Sequence, residues 1–191
     1  MPGAIIERGD RVTLRTVERD DAPFVQRGYT NPEIRYPLGN LRHKNLSQIE
    51  AQFENFIENP SHAQFLVCLD AEDAGPGHPD DGDVTPIGAV AATDTDQVRP
   101  ELAYWLVPEY HGDGYGSEAV ALVVNHVFQS YDTPSISAAT LDFNEASRSL
   151  LESLGFTEEG RLRKARFIGG EYRDSIEYGL LREEWHERDE S

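Results

Sequence analysis

Between residues 11 and 18 apolar and polar side chains alternate (Arg-Val-Thr-Leu-Arg-Thr-Val-Glu), the period-two pattern of a half-buried strand. Asp20-Asp21-Ala22-Pro23 follows as a helix start, with acids in the first turn and proline near the first helical position. Residues 30–45, broken by Pro32, Pro37 and Gly39, predict mostly loop. Ser47 is placed to cap a second helix, with Glu50 three residues on and Ile49, Phe53, Phe56 and Ile57 along one face. Residues 64–70 form a second strand. Residues 70–86 then hold six acids, three glycines and three prolines without an aromatic, the composition of a solvated, mobile connection. Two more strands are expected at 85–93 and 101–107. A strong amphipathic helix follows at 115–131, with Ala119, Val120, Val123, Val124 and Val127 at helical spacing. Residues 135–141 read as a strand and 144–154 as a short helix, capped by Asn144 and stopped by Gly155. Residues 161–168 and 172–181, joined by Gly169-Gly170, make a closing hairpin. The order β-α-α-β-β-β-α-β-α-β-β, with consecutive strands before a β-α-β unit, predicts an α/β chain built on a mixed sheet.

Composition narrows the class. A chain of 191 residues with 38% hydrophobic residues is enough for one well-packed domain, expected over 1–191 with its core at about 9–185. No apolar run is long enough to span a bilayer, and the first ten residues show no signal-peptide pattern, so the expected location is cytoplasmic. Cys68 is the single cysteine and lies within Phe65-Leu66-Val67-Cys68-Leu69, the setting of a small buried hydrophobe rather than a nucleophile. No cysteine-based metal site is expected. Against 35 Asp+Glu stand 17 Lys+Arg, a net charge of -18, with Lys44 and Lys164 as the only lysines. Such a surface repels nucleic acid and anionic membranes. It suits either recruitment of a cationic substrate or adaptation to concentrated salt; its spread through loops and termini favours the second.

The most specific feature spans residues 101–120, where an apolar strand enters a short turn with glycines at 112, 114 and 116 and then a helix. Glycines let successive backbone N–H groups approach an anion, and the helix start adds its positive end. A P-loop would end in Gly-Lys-Ser/Thr, and no lysine is present here. A dinucleotide fingerprint needs a different glycine spacing. A turn that binds nothing is the remaining alternative.

His111-Gly112-Asp113-Gly114-Tyr115-Gly116 resembles the pyrophosphate loop of the GNAT superfamily of N-acetyltransferases. Gly-Asp-Arg-Val-Thr-Leu-Arg (9–15), Tyr-Trp-Leu (104–106), Asn-Glu-Ala-Ser (144–147), Leu-Gly-Phe (154–156) and Gly-Gly-Glu-Tyr-Arg-Asp (169–174) fall in the order of its RimJ/RimL-like branch. The resemblance implies the acyl-CoA N-acyltransferase fold, a central twisted mixed β-sheet flanked by about four helices. It implies acetyl-CoA as cosubstrate, a primary amine as acceptor (a peptide N-terminus or a small molecule), and a monomer or homodimer. By the same resemblance, His111, Gly112, Asp113, Gly114, Tyr115, Gly116 and Ser117 receive the diphosphate. Trp105, Leu106 and Val107, at a splay in the strand, hold the pantetheine arm and polarise the thioester, and Asn144 and Ser147 line its other side. Asn144 has an alternative role as helix cap. His111 stands where Gln or Arg is usual.

Direct attack by the amine is expected, because no activated cysteine is available. Glu101 is the candidate base; at about 3.3 Å per residue it lies roughly 20 Å from Val107 and needs water relays, and an exposed strand-start carboxylate is its plain alternative. Ser147 is the candidate donor to the leaving thiolate, with an ordinary third-position helix serine as alternative. Leu151 stands where many members carry a tyrosine acid, and Arg166 aligns with the glutamate base of a ribosomal-protein member. These two departures leave a second reading open, a CoA-binding sensor of the same fold. Residues 30–45 and the turn at Gly169 should flank the acceptor, with Glu33 attracting a cationic amine.

Overall fold

The computed structural model describes residues 1–39, 42–72, 74–80 and 82–189. In chain order the elements are β1 (Ile5–Arg8), β2 (Thr13–Thr16), α1 (Ala22–Thr30), α2 (Pro32–Arg35), α3 (Leu46–Glu50), β3 (Ala63–Asp70), β4 (Val84–Thr93), β5 (Glu101–Leu106), α4 (Tyr115–Ser130), β6 (Ser135–Leu141), α5 (Glu145–Ser153), β7 (Thr157–Ile168), β8 (Glu171–Leu181) and α6 (Arg182–Asp189). The strands form one sheet in the order β1-β2-β3-β4-β5-β6-β8-β7. Every neighbouring pair is antiparallel except β5 and β6, so the sheet is mixed but mostly antiparallel.

The strongest periodicities form the core. Val120, Val123, Val124 and Val127 of α4 are fully buried against Leu14, Val67, Val90 and Ile136 of the sheet. Tyr104 and Leu106 of β5 pack toward that same cluster. Trp105, one position out of phase, points to the opposite face. There its ring stacks on Phe24 at 5.4 Å and lies so close to Gly28 that a Cβ there would stand 2.9 Å from it. Thus α1 covers the face that α4 does not.

Two local expectations need correction, and two elements, at 5–8 and 182–189, were not expected. Residues 5–8 are a strand, too short and too near Ile5-Ile6 doubling to show alternation. Residues 30–45 contain α2, started by Asn31, whose side chain accepts from the Glu33 N–H, with Pro32 behind it. The next helix is capped by Asn45 instead of Ser47: Asn45 accepts from the Gln48 N–H (2.9 Å) and Gln48 accepts from the Asn45 N–H (3.0 Å). That reciprocal box outcompetes a serine two residues later. The terminal α6 has a polar sequence without an apolar stripe and is held by Trp185, which is 5% exposed and donates to Asn125.

Part of the acidic connection is anchored rather than mobile. Arg15, 0% exposed, directs its five N–H donors to Asp70 Oδ1 and Oδ2 and to the carbonyls of Gly3, Gly75 and Gly77, at 2.8–3.1 Å. Asp73 and Asp81 of that connection, and Asn40 and Leu41 of the 30–45 stretch, lie outside the described residues.

Candidate active site

The glycine turn ends on Gly114, which takes φ +83 and is the N-cap of α4; Gly112 takes φ +90. Both values are left-handed backbone that glycine adopts without strain. Three other helices start on asparagine side chains, Asn31, Asn45 and Asn144, that accept a backbone N–H. No side chain does this for α4. The first-turn amides of Tyr115, Gly116 and Ser117 are therefore left for an external acceptor, at the positive end of a sixteen-residue helix.

Arg11, which the sequence reading did not single out, braces this turn from the β1–β2 connection. Its Nη1 donates to the Asp113 carbonyl (2.7 Å), its Nε to Glu118 (3.0 Å), and its guanidinium lies 4.9 Å from the Tyr115 ring centre. Burial alone would raise the Glu118 pKa, but the N–H groups of Arg11 and Val12 and the Arg11 guanidinium outweigh it, and the net shift is downward. The Glu118 carboxylate is thus held ionised and engaged behind the turn.

Beside the turn, β5 and β6 pair only at Glu101↔Ser137 and Leu102↔Ala138 and then separate. Val107 N–H donates to the Ile87 carbonyl of the β4 side (2.8 Å), whereas the Pro100 carbonyl accepts from Ser137 on the β6 side (2.9 Å). Backbone groups alternate sides along an antiparallel strand. Tyr104 and Leu106 therefore direct N–H and C=O into the gap. Val107 does not: its carbonyl accepts from Tyr110 N–H (3.0 Å), its side chain is buried, and it does not line the cavity. Of the backbone expected at the splay, Leu106 faces the gap and Val107 does not, and Tyr104 faces it as well.

The gap opens into a cavity of about 750 Å³ that runs from the glycine turn along β5. Leu106, His111, Gly112, Gly114, Gly116 and Ser117 line one end, and Asn144 and Ser147 of α5 line the wall opposite β5. Trp105 reaches it from the α1 face; Asp113 and Tyr115 flank the turn without lining the cavity. His111 Nε2 lies 3.0 Å from the Leu106 carbonyl, which can only accept, so the ring carries its proton on Nε2 and ties the turn to the gap. Asn144 Oδ1 accepts from the Ser147 N–H (3.2 Å), so Asn144 does cap α5. Ser147 Oγ sits 2.8 Å from the Tyr104 hydroxyl. Leu151 is 0% exposed in the core and faces no ligand space.

Two observations test whether the cavity fits a pantetheine arm. Gly116 stands where a Cβ would press on Leu150 at 3.2 Å, so the wall is closely built. Thr140 of β6 is 5% exposed and lines the cavity, yet its Oγ1 has no hydrogen-bond partner among the described residues. A ligand amide would complete it. The residues fit.

Glu101 and Arg166 line the cavity at the start of β5, and Glu33 of α2 lines it as well. Desolvation raises the Glu101 pKa, Glu177 and Asp94 raise it further, and Arg166 opposes them. Cys68 is fully buried on β3, and burial, then Asp70, push its thiol up, which removes it as a nucleophile.

Residues 11–157 match the family model of the acetyltransferase (GNAT) domain. Over 178 residues the chain is 30% identical to the provisionally named ribosomal N-acetyltransferase YdaF of Bacillus subtilis (strain 168), covering 92% of this chain and 94% of that one. It is 24% identical over 176 residues to the spermidine N(1)-acetyltransferase of Escherichia coli (strain K12), covering 91% and 88%. The fold matches the crystal structure of spermidine N-acetyltransferase from Vibrio cholerae in complex with CoA and spermine, with a TM-score of 0.80 at 21% identity over 93% of this chain and 99% of that one. The chain belongs to the GNAT acetyltransferase family and is an N-acetyltransferase that uses acetyl-CoA as its cosubstrate.

Proposed function

We propose that the acetyl group passes directly to a primary amine, a peptide N-terminus or a small-molecule amine, without an acetyl-enzyme. The observation that carries this reading is the parting of β5 from β6 beside an uncapped, glycine-led helix start. The amides of Tyr115, Gly116 and Ser117 hold the diphosphate. The outward N–H groups of Tyr104 and Leu106 hold the arm and stabilise the charge that develops on the thioester oxygen. Ser147 faces the sulfur, and Glu101, through water, receives the amine proton.

Glu101, with Asp94 and Glu177 acting on it, gives its end of the cavity a negative field that draws a cationic amine, and Glu33 adds a further acid to the lining. The names of the relatives point to the ribosome and to spermidine. Motif order supports the RimJ/RimL-like branch and a single catalytic domain over the whole chain. The net charge of -18, spread over the chain, supports service in concentrated salt, for which melting temperature against salt is the measure.

The test is thiol release from acetyl-CoA in molar KCl with N-terminal peptides, spermidine and an aminoglycoside-like amine. The reading expects release and an N-acetylated product with at least one acceptor. Tight CoA binding with no turnover on any of them would instead support the sensor.

A further inference from the structure

Tyr104 and Ser147 come from different walls of the cavity, one from β5 and one from the first turn of α5, and their hydroxyls meet at 2.8 Å. The chain fixes both. Leu102 and Leu106 bury on the α4 side of β5 and carry Tyr104 with them, while the Asn144 cap holds the Ser147 N–H and so the pitch of the helix start. The helix position expected for a tyrosine acid is Leu151, enclosed in the core. A phenol reaches the same wall from the neighbouring strand.

We propose that Tyr104 is a positioning residue acting through Ser147: its hydroxyl donates to Ser147 Oγ and turns the serine proton into the cavity toward the thioester sulfur. This rests on Ser147 facing the sulfur, as argued above.

Burial raises the Tyr104 phenol to about 12, so it keeps the proton that it donates to Ser147. Against a thiol near about 8.5, complete proton transfer from such a phenol is unfavourable by more than about a thousandfold. The pair therefore acts as a polarised chain of two hydrogen bonds and not as a proton source. As the C–S bond breaks, its electron pair settles on sulfur, which accepts the Ser147 O–H; solvent protonates the thiolate after release.

Tyr104→Phe removes one oxygen and keeps the ring that packs on the core. Three variants are compared with wild type: Tyr104→Phe, Ser147→Ala and the double. The first readout is binding: the ultraviolet absorbance of the CoA thiolate, titrated in the complex. The proposal expects the bound thiol to titrate below free CoA, and Tyr104→Phe to reverse about tenfold of that acidification. The second is kinetic: Tyr104→Phe lowers kcat about tenfold with KM for acetyl-CoA and melting temperature unchanged, and costs nothing further in the Ser147→Ala background. An unchanged thiol titration, or an equal loss from Tyr104→Phe with and without Ser147, would overturn it. Wild-type kcat and thiol titration in Ser147→Ala would overturn the underlying Ser147 reading instead.

Discussion

Glu101 is placed by β5, where its neighbours, more than the strand, set its acidity. Desolvation is the largest influence, Glu177 and Asp94 add to it, and Arg166 opposes them. Because the folded pKa is raised, ionising Glu101 costs stability as pH climbs from the ordinary carboxylate value through the raised one. The proposed role as base needs the ionised form, so on that proposal the acid limb of kcat/KM should follow Glu101. Glu101→Gln is expected to lower kcat about a hundredfold and to flatten the limb. Arg166→Ala removes the lowering charge and should move the limb to higher pH. A pH–rate series on the three proteins checks this; an unchanged limb in Glu101→Gln would refute the role. Glu101, Ser147 and the glycines, singled out from sequence because strand ends, helix caps and glycine spacing are local, line one cavity. Sequence placed the gap-facing backbone at 106 and 107, right for 106 and wrong for 107, because the pairing with the β4 side that turns Val107 inward is a tertiary fact. The Tyr104 and Arg11 partnerships cross 43 and 102 residues of sequence, and no local pattern announces them.

Among the elements, α4 was legible because six of its sixteen residues are buried at helical spacing. The closing hairpin was legible from Gly169 and Gly170, which take φ +62 and +88. By contrast, β1 and α2 are four residues each, too short for periodicity to declare, and α6 is polar apart from the single buried Trp185. The connection after β3 misled for another reason. Its composition is that of solvated loop, but Arg15, which reads as an ordinary strand residue, is buried beneath it and holds two of its glycine carbonyls. At the site, α4 starts without a side-chain cap, as α1 also does, but on a left-handed glycine. A helix start with no side-chain acceptor, between two left-handed glycines and a bracing arginine, is arranged for a ligand's charge.

For the whole molecule, the mixed sheet followed from the element order, whereas the strand order did not, since the placing of β8 between β6 and β7 depends on long-range pairing. Net charge acts at this scale too. With -18 on 191 residues, self-repulsion opposes folding in dilute buffer; at 1 M salt screening shortens to about 3 Å and relieves it. The melting temperature should therefore rise from dilute buffer to molar KCl, and an equal value in both would remove salt adaptation. The account's central claim is that the amides at the start of α4 cradle a diphosphate beside an open gap between β5 and β6. Calorimetric titration of CoA in molar KCl, into wild type and Gly114→Ala, tests it most directly. A Cβ at φ +83, 3.1 Å from Arg11 Nη2, strains the turn and presses on its brace. Saturable one-to-one binding by the wild type, weakened about tenfold in the variant, is predicted; no saturable heat from the wild type, or equal affinity in both, contradicts the claim.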